Sequence, residues 1–377
     1  MHSSATLRAP LRAPLDTVLF TSVAALVGIG LVMVFSASSA TAYAQHGDIA
    51  YYLKRQLLWL AIGLAGAYAC YRIDYQRLRS VAPYILLAAI AGLSLVFVPH
   101  VGVGVNGGRR WIGTPSLSIE PSEFAKLALV IYLSAVLSAR GERITSLVRG
   151  LVPLCVPVAI MAVLILKEPD MGTASLLLFI ALALFFAAGA RVVHLVAVVL
   201  AMVPFAALTV LASPYRRARI FAFVDPWKDP LNTGFHIVQS LLALGSGGLF
   251  GVGLGASRAK FFYLPEQYTD FIFSVLGEEL GLIGTLAVIG LFVTLAYRAI
   301  RIALGAPDRF GFFLAIGCAA MITIQAFVNI GVVSSSWPVT GVPLPFISFG
   351  GSSLVVNLIA VALIANVGRH RRFTGRA

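Results

Sequence analysis

The sequence predicts an all-α polytopic membrane protein with about ten transmembrane helices and a large extracytoplasmic loop between helices 7 and 8. Three observations carry that expectation. Of 377 residues, 59% are hydrophobic and 11% charged, whereas a soluble domain is nearer one quarter charged. The apolar residues fall in runs of about 20, the length of a spanning helix rather than of a barrel strand. The net charge of +13 concentrates in alternate connections, as the positive-inside rule requires of a multi-pass chain.

The runs lie at about 17–38, 56–73, 81–99, 122–139, 150–166, 172–190, 192–212, 271–297, 310–333 and 344–368. The first is too long for a signal-peptide core, so it reads as a retained helix, although the small residues after it (SASSATAYA) faintly resemble a cleavage site. Ten spans put both termini on one side. That side then carries 16 of the arginines, including Arg72, Arg79, Arg140, Arg143, Arg298 and Arg309, against Asp16, Asp74, Glu142 and Asp308. It is therefore cytoplasmic, and the positive charge is a topology signal that needs no nucleic acid. Residues 1–377 form one integral-membrane domain: a cytoplasmic N-terminus (1–16), an extracytoplasmic loop (213–270) and a basic cytoplasmic tail (369–377). Cys70, Cys155 and Cys318 sit inside apolar runs at unrelated spacings and suggest neither disulfides nor a metal site.

The inner loops are short connectors, so chemistry is expected on the outer side. Residues 245–255 (GSGGLFGVGLG) are glycine-rich, but no Lys-Ser/Thr follows, which argues for a re-entrant turn over a phosphate-cradling loop. In VNGGRRWIGTPSLSIEPSEFAKL (105–127), Asn106-Gly107-Gly108 signals a turn and Trp111 an interface anchor. Arg109 and Arg110 suit forked donation to phosphate. Pro121 opens a helix on which Glu123 and Lys126 share a face. These residues read either as a pocket for an anionic head group or as an anchor plus a self-neutralising pair. In LKEPDMGTA (166–174), Asp170 either caps the next helix or orders the arginines opposite or a divalent cation. Residues 235–250 are apolar but too short to span, as for a helix lying in or dipping through the interface. In 342–353 (VPLPFISFGGSS) two prolines and two glycines break the start of the last helix. The freed backbone donors could meet a lipid phosphate or a partner, or the segment could be a plain turn.

The densest signal is Phe261–Gly281 (FFYLPEQYTDFIFSVLGEELG), which holds Glu266, Asp270, Glu278 and Glu279 among only 15 acidic residues in the chain. Carboxylates at the mouth of and inside an apolar helix are costly and need a reason. Glu278 and Glu279 suit a structural role in a polar cavity. Asp270 reads as a catalytic group or as a helix N-cap, and a position at a helix N-terminus would lower its pKa.

Six segments, in order, carry a family resemblance: LVMVFSAS, NGGRRWI, PSEFAKLALVIYL, EPDMGTA, the block from Asp225 to Gly281 (DPWKDPLNTGFHIVQSLLALGSGGLFGVGLGASRAKFFYLPEQYTDFIFSVLGEELG) and VTGVPLPFISFGGSS. Over about 17–369 the chain resembles the SEDS proteins of shape, elongation, division and sporulation. Within them it is more similar to the division members than to the elongation members, with the sporulation members close. It departs from the usual QPDLGT by reading EPDMGT, and again at SSSWPVTG (334–341). The resemblance implies a peptidoglycan glycosyltransferase of the plasma (inner) membrane at the division septum. Such an enzyme polymerises lipid II by inverting transfer into β-1,4-linked glycan and releases undecaprenyl diphosphate. It implies a class B penicillin-binding protein as transpeptidase partner, alongside other divisome membrane proteins, and no nucleic acid. Asp270 matches the essential aspartate of the family. Arg109, Arg110, Trp111, Glu123, Lys126, Asp170 and Glu266 are the expected substrate contacts. No cofactor is required by the reading, with a divalent cation (Mg or Mn) left open. The competing classes are an elongation-type polymerase, a lipid II flippase and a scaffold for the transpeptidase.

Overall fold

The computed structural model describes residues 15–105, 108–114, 118–261 and 263–370. The turn expected at Asn106-Gly107 and the terminal segments 1–14 and 371–377 lie outside the described residues. Eight described helices are long and apolar enough to cross a membrane: α1 (Thr17–His46), α3 (Gln76–Leu95), α4 (Pro121–Arg140), α5 (Val152–Lys167, extended by a turn from Leu147), α7 (Val192–Leu211), α10 (Ile272–Leu304), α11 (Arg309–Val333) and α12 (Gly351–Arg369). The second and sixth expected spans coincide with α2 (Tyr51–Arg72) and α6 (Met171–Ala187). The former carries Lys54 and Arg55 in its first turns, and the latter is 17 residues long. Helices α2 and α3 start earlier than expected, because their first turns are polar and hydropathy alone does not mark them.

Asp16 caps α1 by accepting from the Leu19 amide at 3.0 Å and forms a forked pair with Arg298, whose Nη2 lies 2.5 Å away. The start of α1 and the C-terminal half of α10 therefore share a side, and the N-terminus of α10 faces the other. Helices α4, α11 and α12 form the centre: 83% of the α12 window is buried, against 6% for α7 at the periphery. A polar chain joins the three. Lys126 Nζ donates to Gln325 Oε1 at 2.6 Å, and Gln325 Nε2 donates to Ser353 Oγ at 3.2 Å and to the Pro343 carbonyl at 2.9 Å.

Helix α10 is broken inside. Gly281 has φ 68° and ψ −165°, a conformation essentially restricted to glycine. The backbone groups released there find partners in the glycine-rich segment before it. The amides of Leu282 and Ile283 donate to the carbonyls of Gly248 and Leu249 at 2.9 and 3.2 Å. The amides of Val252 and Gly253 donate to the carbonyls of Glu278 and Glu279 at 2.9 and 3.1 Å. The segment is thus a backbone clamp. Glu278 accepts from the Ser257 hydroxyl and from the amides of Arg258 and Ala259 at 3.0 and 3.2 Å. Glu279 accepts from Ser36 Oγ on α1 at 2.6 Å and pairs with Lys260 Nζ at 3.6 Å. Both carboxylates are buried, and these donors replace most of the water they lose, with Glu279 Oε2 left without a hydrogen-bond partner among the described residues.

The last span begins at Gly351 and not near 344. Pro343 and Pro345 carry no N–H, and 338–350 run without regular structure, largely buried. Irregular backbone at this depth is stable only inside protein. The donors expected to be free are used within the chain. The Leu344 amide donates to Ser348 Oγ at 2.8 Å, the Phe349 amide to the Tyr268 carbonyl at 2.9 Å, and Ser348 Oγ to the Thr269 carbonyl at 2.6 Å.

The 213–270 region folds as α8 (Pro214–Val224), a short turn at Pro226–Lys228 and α9 (Phe235–Ser246). Helix α9 packs on α10 and α11 rather than lying free, with Ser240 Oγ donating to the Val333 carbonyl at 2.6 Å. The 96–120 connection forms a small antiparallel sheet of β1 (Gly102–Val105), β2 (Gly108–Gly113) and β3 (Ser118–Ile119) in that order.

The Gly281 break yields a direct test. An added Cβ would stand 2.3 Å from the Gly251 amide nitrogen and 2.6 Å from the Leu249 carbonyl oxygen. Gly281→Ala is expected to cost about 1–3 kcal/mol from backbone strain alone, with the clash added. Gly290→Ala, where nothing lies within 4 Å, is the matched control. Thermal unfolding in detergent should show a lowered Tm for the first variant only; equal Tm values would remove the clamp.

Candidate active site at the outer mouth

Asp270 immediately precedes α10, but it does not cap it. The N-cap position is Phe271, with no side-chain cap. Asp270 is instead fixed through its backbone: Asn329 Nδ2 on α11 donates to the carbonyls of both Asp270 and Val342 at 2.8 Å. The Phe271 amide donates to the Glu266 carbonyl at 3.2 Å, closing a tight turn. The half-buried carboxylate points toward Gly341, where an added Cβ would stand 3.5 Å from Oδ2. Among the described residues it makes no hydrogen bond or ion pair. Burial, then the negative charge of Glu266, push its pKa up to about 7, while Arg219 pulls it back down. The depressed pKa expected from a helix N-terminus is therefore reversed, because the carboxylate neither caps the helix nor loses its neighbouring acids.

Three of the expected contacts sit in this electrostatic neighbourhood. Glu266 is exposed, at φ 53°, and accepts from Thr269 Oγ1 at 2.9 Å. Asp170 caps α6, accepting from the Thr173 amide at 2.9 Å and from Thr173 Oγ1 at 2.8 Å. It also lies 3.8 Å from Arg110 Nη1, so the capping and arginine-ordering readings both hold. Arg110 donates through Nε and Nη2 to the carbonyls of Glu168 and Pro169 at 3.0 and 2.6 Å, which fixes its guanidinium over that loop. Asp170 and Arg110 both act on Asp270 through space.

The other expected contacts lie elsewhere. Arg109 pairs with Gly104 in the sheet and is exposed, whereas Arg110 is the extra residue at the register shift between Val103 and Gly104. Trp111 is half-buried opposite Val103 in the sheet. Glu123 and Lys126 are fully buried and pair at 2.7 Å. Lys126 is turned into the bundle toward Gln325, so direct substrate contact by this pair is corrected to a buried strut. Three groups outside the expected set join the site. Arg219 on α8 acts on Asp270. Its signal was present in the i, i+3 spacing that sets Arg216 and Arg219 on one helix face apart from Arg217. Glu120 and Glu168 flank Asp170; burial and neighbouring carboxylates push each pKa up to about 8. Both Glu168 carboxylate oxygens are buried without a hydrogen-bond partner, consistent with a neutral acid.

Among the described residues, no three His, Cys, Asp or Glu side chains converge to hold a metal ion.

The arrangement defines a class: a polytopic helical membrane protein in which one carboxylate, without a hydrogen bond or ion pair among the described residues, lies under the charges of Arg219 and Arg110. The family model described as "Cell cycle protein", covering FtsW, RodA and SpoVE, matches residues 16–373, and the chain belongs to that family. It is 46% identical over 349 residues to stage V sporulation protein E of Bacillus subtilis, covering 92% of this chain and 95% of that protein. It is 45% identical over 362 residues to a probable peptidoglycan glycosyltransferase FtsW of Trichlorobacter lovleyi, covering 96% and 95%. Among solved structures it resembles a chain from a study titled "Structural coordination of polymerization and crosslinking by a peptidoglycan synthase complex", with TM-score 0.79, 31% identity and coverage of 96% and 99%. Rod shape determining protein RodA of Thermus thermophilus follows with TM-score 0.69, 30% identity and coverage of 96% and 98%.

The state of Glu168 can be read from stability. Its folded-state pKa of about 8 stands above the ordinary 4.5, so the folded chain holds a proton that the unfolded chain releases. Stability therefore falls as pH rises between those values. Glu168→Gln keeps the shape without the titration. Its Tm should match wild type near pH 4.5 and exceed it increasingly toward pH 8. Parallel Tm curves would mean that Glu168 is charged in the fold.

Proposed function

We propose that the chain is a peptidoglycan glycosyltransferase that polymerises lipid II at the outer face of the plasma membrane during septal wall synthesis. The observation that carries this reading is Asp270. Its carboxylate is held by backbone clips on both flanks, commits to no protein partner among the described residues, and has a pKa of about 7. Those are the properties of a general base working near neutrality.

The donor is an α-linked lipid diphosphate and the product is β-linked, so one in-line displacement suffices. Asp270 takes the proton of the acceptor 4-hydroxyl as that oxygen attacks the anomeric carbon. The bond to the diphosphate breaks, and undecaprenyl diphosphate leaves as an anion. Arg110, whose orientation is fixed by two carbonyls, and Arg219, which also acts on Asp270, neutralise the developing charge. Exposed Arg109 lies farther out, where it suits the approach of the anionic head group. The buried Glu123–Lys126 pair supports α4 beneath the site. A class B penicillin-binding protein is the proposed transpeptidase partner, and other divisome membrane proteins complete the assembly.

Flipping fits less well. A carrier needs intramembrane acids that are available to its cargo. Here Glu278 and Glu279 are engaged by Ser36, Ser257, Lys260 and loop amides. A scaffold alone would leave the uncommitted Asp270 unexplained.

The test is lipid II polymerisation in detergent, where no bilayer exists to be crossed, by chain co-purified with its transpeptidase. Asp270→Asn should lose about 10²–10⁴-fold in turnover while holding the partner equally; full activity in that variant would overturn the assignment. The wild-type kcat/KM should rise with pH through about 7 as Asp270 loses its proton. Glu266→Gln removes a like charge and should move that rise to lower pH. Arg219→Gln removes an opposite charge and should move it to higher pH. A profile unmoved by either would place the titrating group elsewhere.

A further inference from the structure

At the end of the bundle away from Asp270, α3 and α4 flank an open recess of about 420 Å³ lined by Arg79, Arg140, Arg143, Pro83, Tyr132 and Val136, among others. Helix α4 separates it from the outer mouth by about 30 Å at 1.5 Å per residue. The alternation of charge places this end at the cytoplasmic surface. Pro83 sits inside α3. It has no N–H to give the carbonyl one turn earlier, and it lines the recess.

None of the ion pairs among the described residues involves Arg79, Arg140 or Arg143. Only Glu142 among the acids is adjacent in sequence. Arg140 donates through Nη1 to the carbonyls of Arg149 and Gly150 at 3.2 and 2.9 Å, which holds the connecting turn. Arg79 and Arg143 are exposed. The neighbouring face of α3 is apolar and open: Tyr84 is 72% and Leu87 62% exposed. A cationic recess at the membrane surface thus continues into a greasy strip. An anion with hydrocarbon chains complements both halves; a soluble anion complements only the first.

We propose that this recess binds the head group of an anionic phospholipid of the cytoplasmic leaflet. Arg79 and Arg143 donate to its phosphodiester, and its acyl chains lie along the Tyr84 and Leu87 face. Basic pockets between helices on the cytoplasmic side are a general form of lipid site.

The experiment uses the full chain purified in detergent, titrated with phosphatidylglycerol or phosphatidylcholine and read by native mass spectrometry of retained lipid. Wild type should retain phosphatidylglycerol in preference to phosphatidylcholine. At about fivefold for each arginine near the surface, Arg79→Gln/Arg143→Gln should weaken phosphatidylglycerol retention roughly 25-fold, with phosphatidylcholine unchanged. The exposed single variant Arg143→Gln should weaken it about fivefold, which keeps the test readable if the double variant misfolds. Inorganic phosphate at equal concentration should not displace the lipid. Equal retention of the two lipids by wild type, or unchanged retention in the variants, would overturn the proposal. Displacement by inorganic phosphate would assign the recess to a soluble anion instead.

Discussion

Backbone polarity inside hydrocarbon is the constraint on which this structure depends. A spanning helix that stops being helical exposes N–H and C=O groups where no water can reach them. The break at Gly281 is stable because residues 248–253 lie against it and exchange four backbone hydrogen bonds with it. The two glutamates before the break extend the same solution to charge. Their oxygens face a serine and two amides on one side, and a serine and a lysine on the other. The loop is therefore part of the helix packing, and it cannot leave without stranding buried carboxylates.

That fixation reaches the candidate site through a short chain of atoms. Gln267 donates to Thr41 Oγ1 on α1 at 2.8 Å and to the Lys260 carbonyl at 3.2 Å, which ties the segment before Asp270 to the clamp. Asn329 and Ser348 hold the carbonyls of Asp270 and Thr269. The backbone is constrained from two helices and the irregular 338–350 segment, while the Asp270 carboxylate is left to its electrostatic surroundings. Rigid positioning with an uncommitted side chain is how a general base keeps both its geometry and its basicity.

Much of this was legible in the amino-acid order. Runs of hydrocarbon reveal spans because burial in lipid is demanded of nearly every residue in them. Asp170 was readable as a cap, and Glu123 with Lys126 as neighbours, since both depend on local spacing. What spacing does not encode is which face looks inward. Lys126 reads equally well as a phosphate ligand or a buried strut, and only the position of Gln325 on a distant helix decides. Asp270 reads as a helix cap until the turn closed on the Glu266 carbonyl moves the helix start past it. The start of α12 was misplaced for a related reason: 344–350 is apolar enough to be helix, and its prolines say only that something must replace the missing donors.

The partners of Glu278 and Glu279 also have an order in time. Ser36, the 248–253 segment, Ser257 and Lys260 all precede the two glutamates in the chain, so each has left the ribosome before the carboxylates that require it. The helix carrying those charges reaches the bilayer when its counterparts are already made. Its insertion can be coupled to loop closure in a single vectorial step. The same sequence order makes a circular permutation that moves α10 ahead of the loop a poor arrangement: the acids would meet lipid first and their partners afterwards.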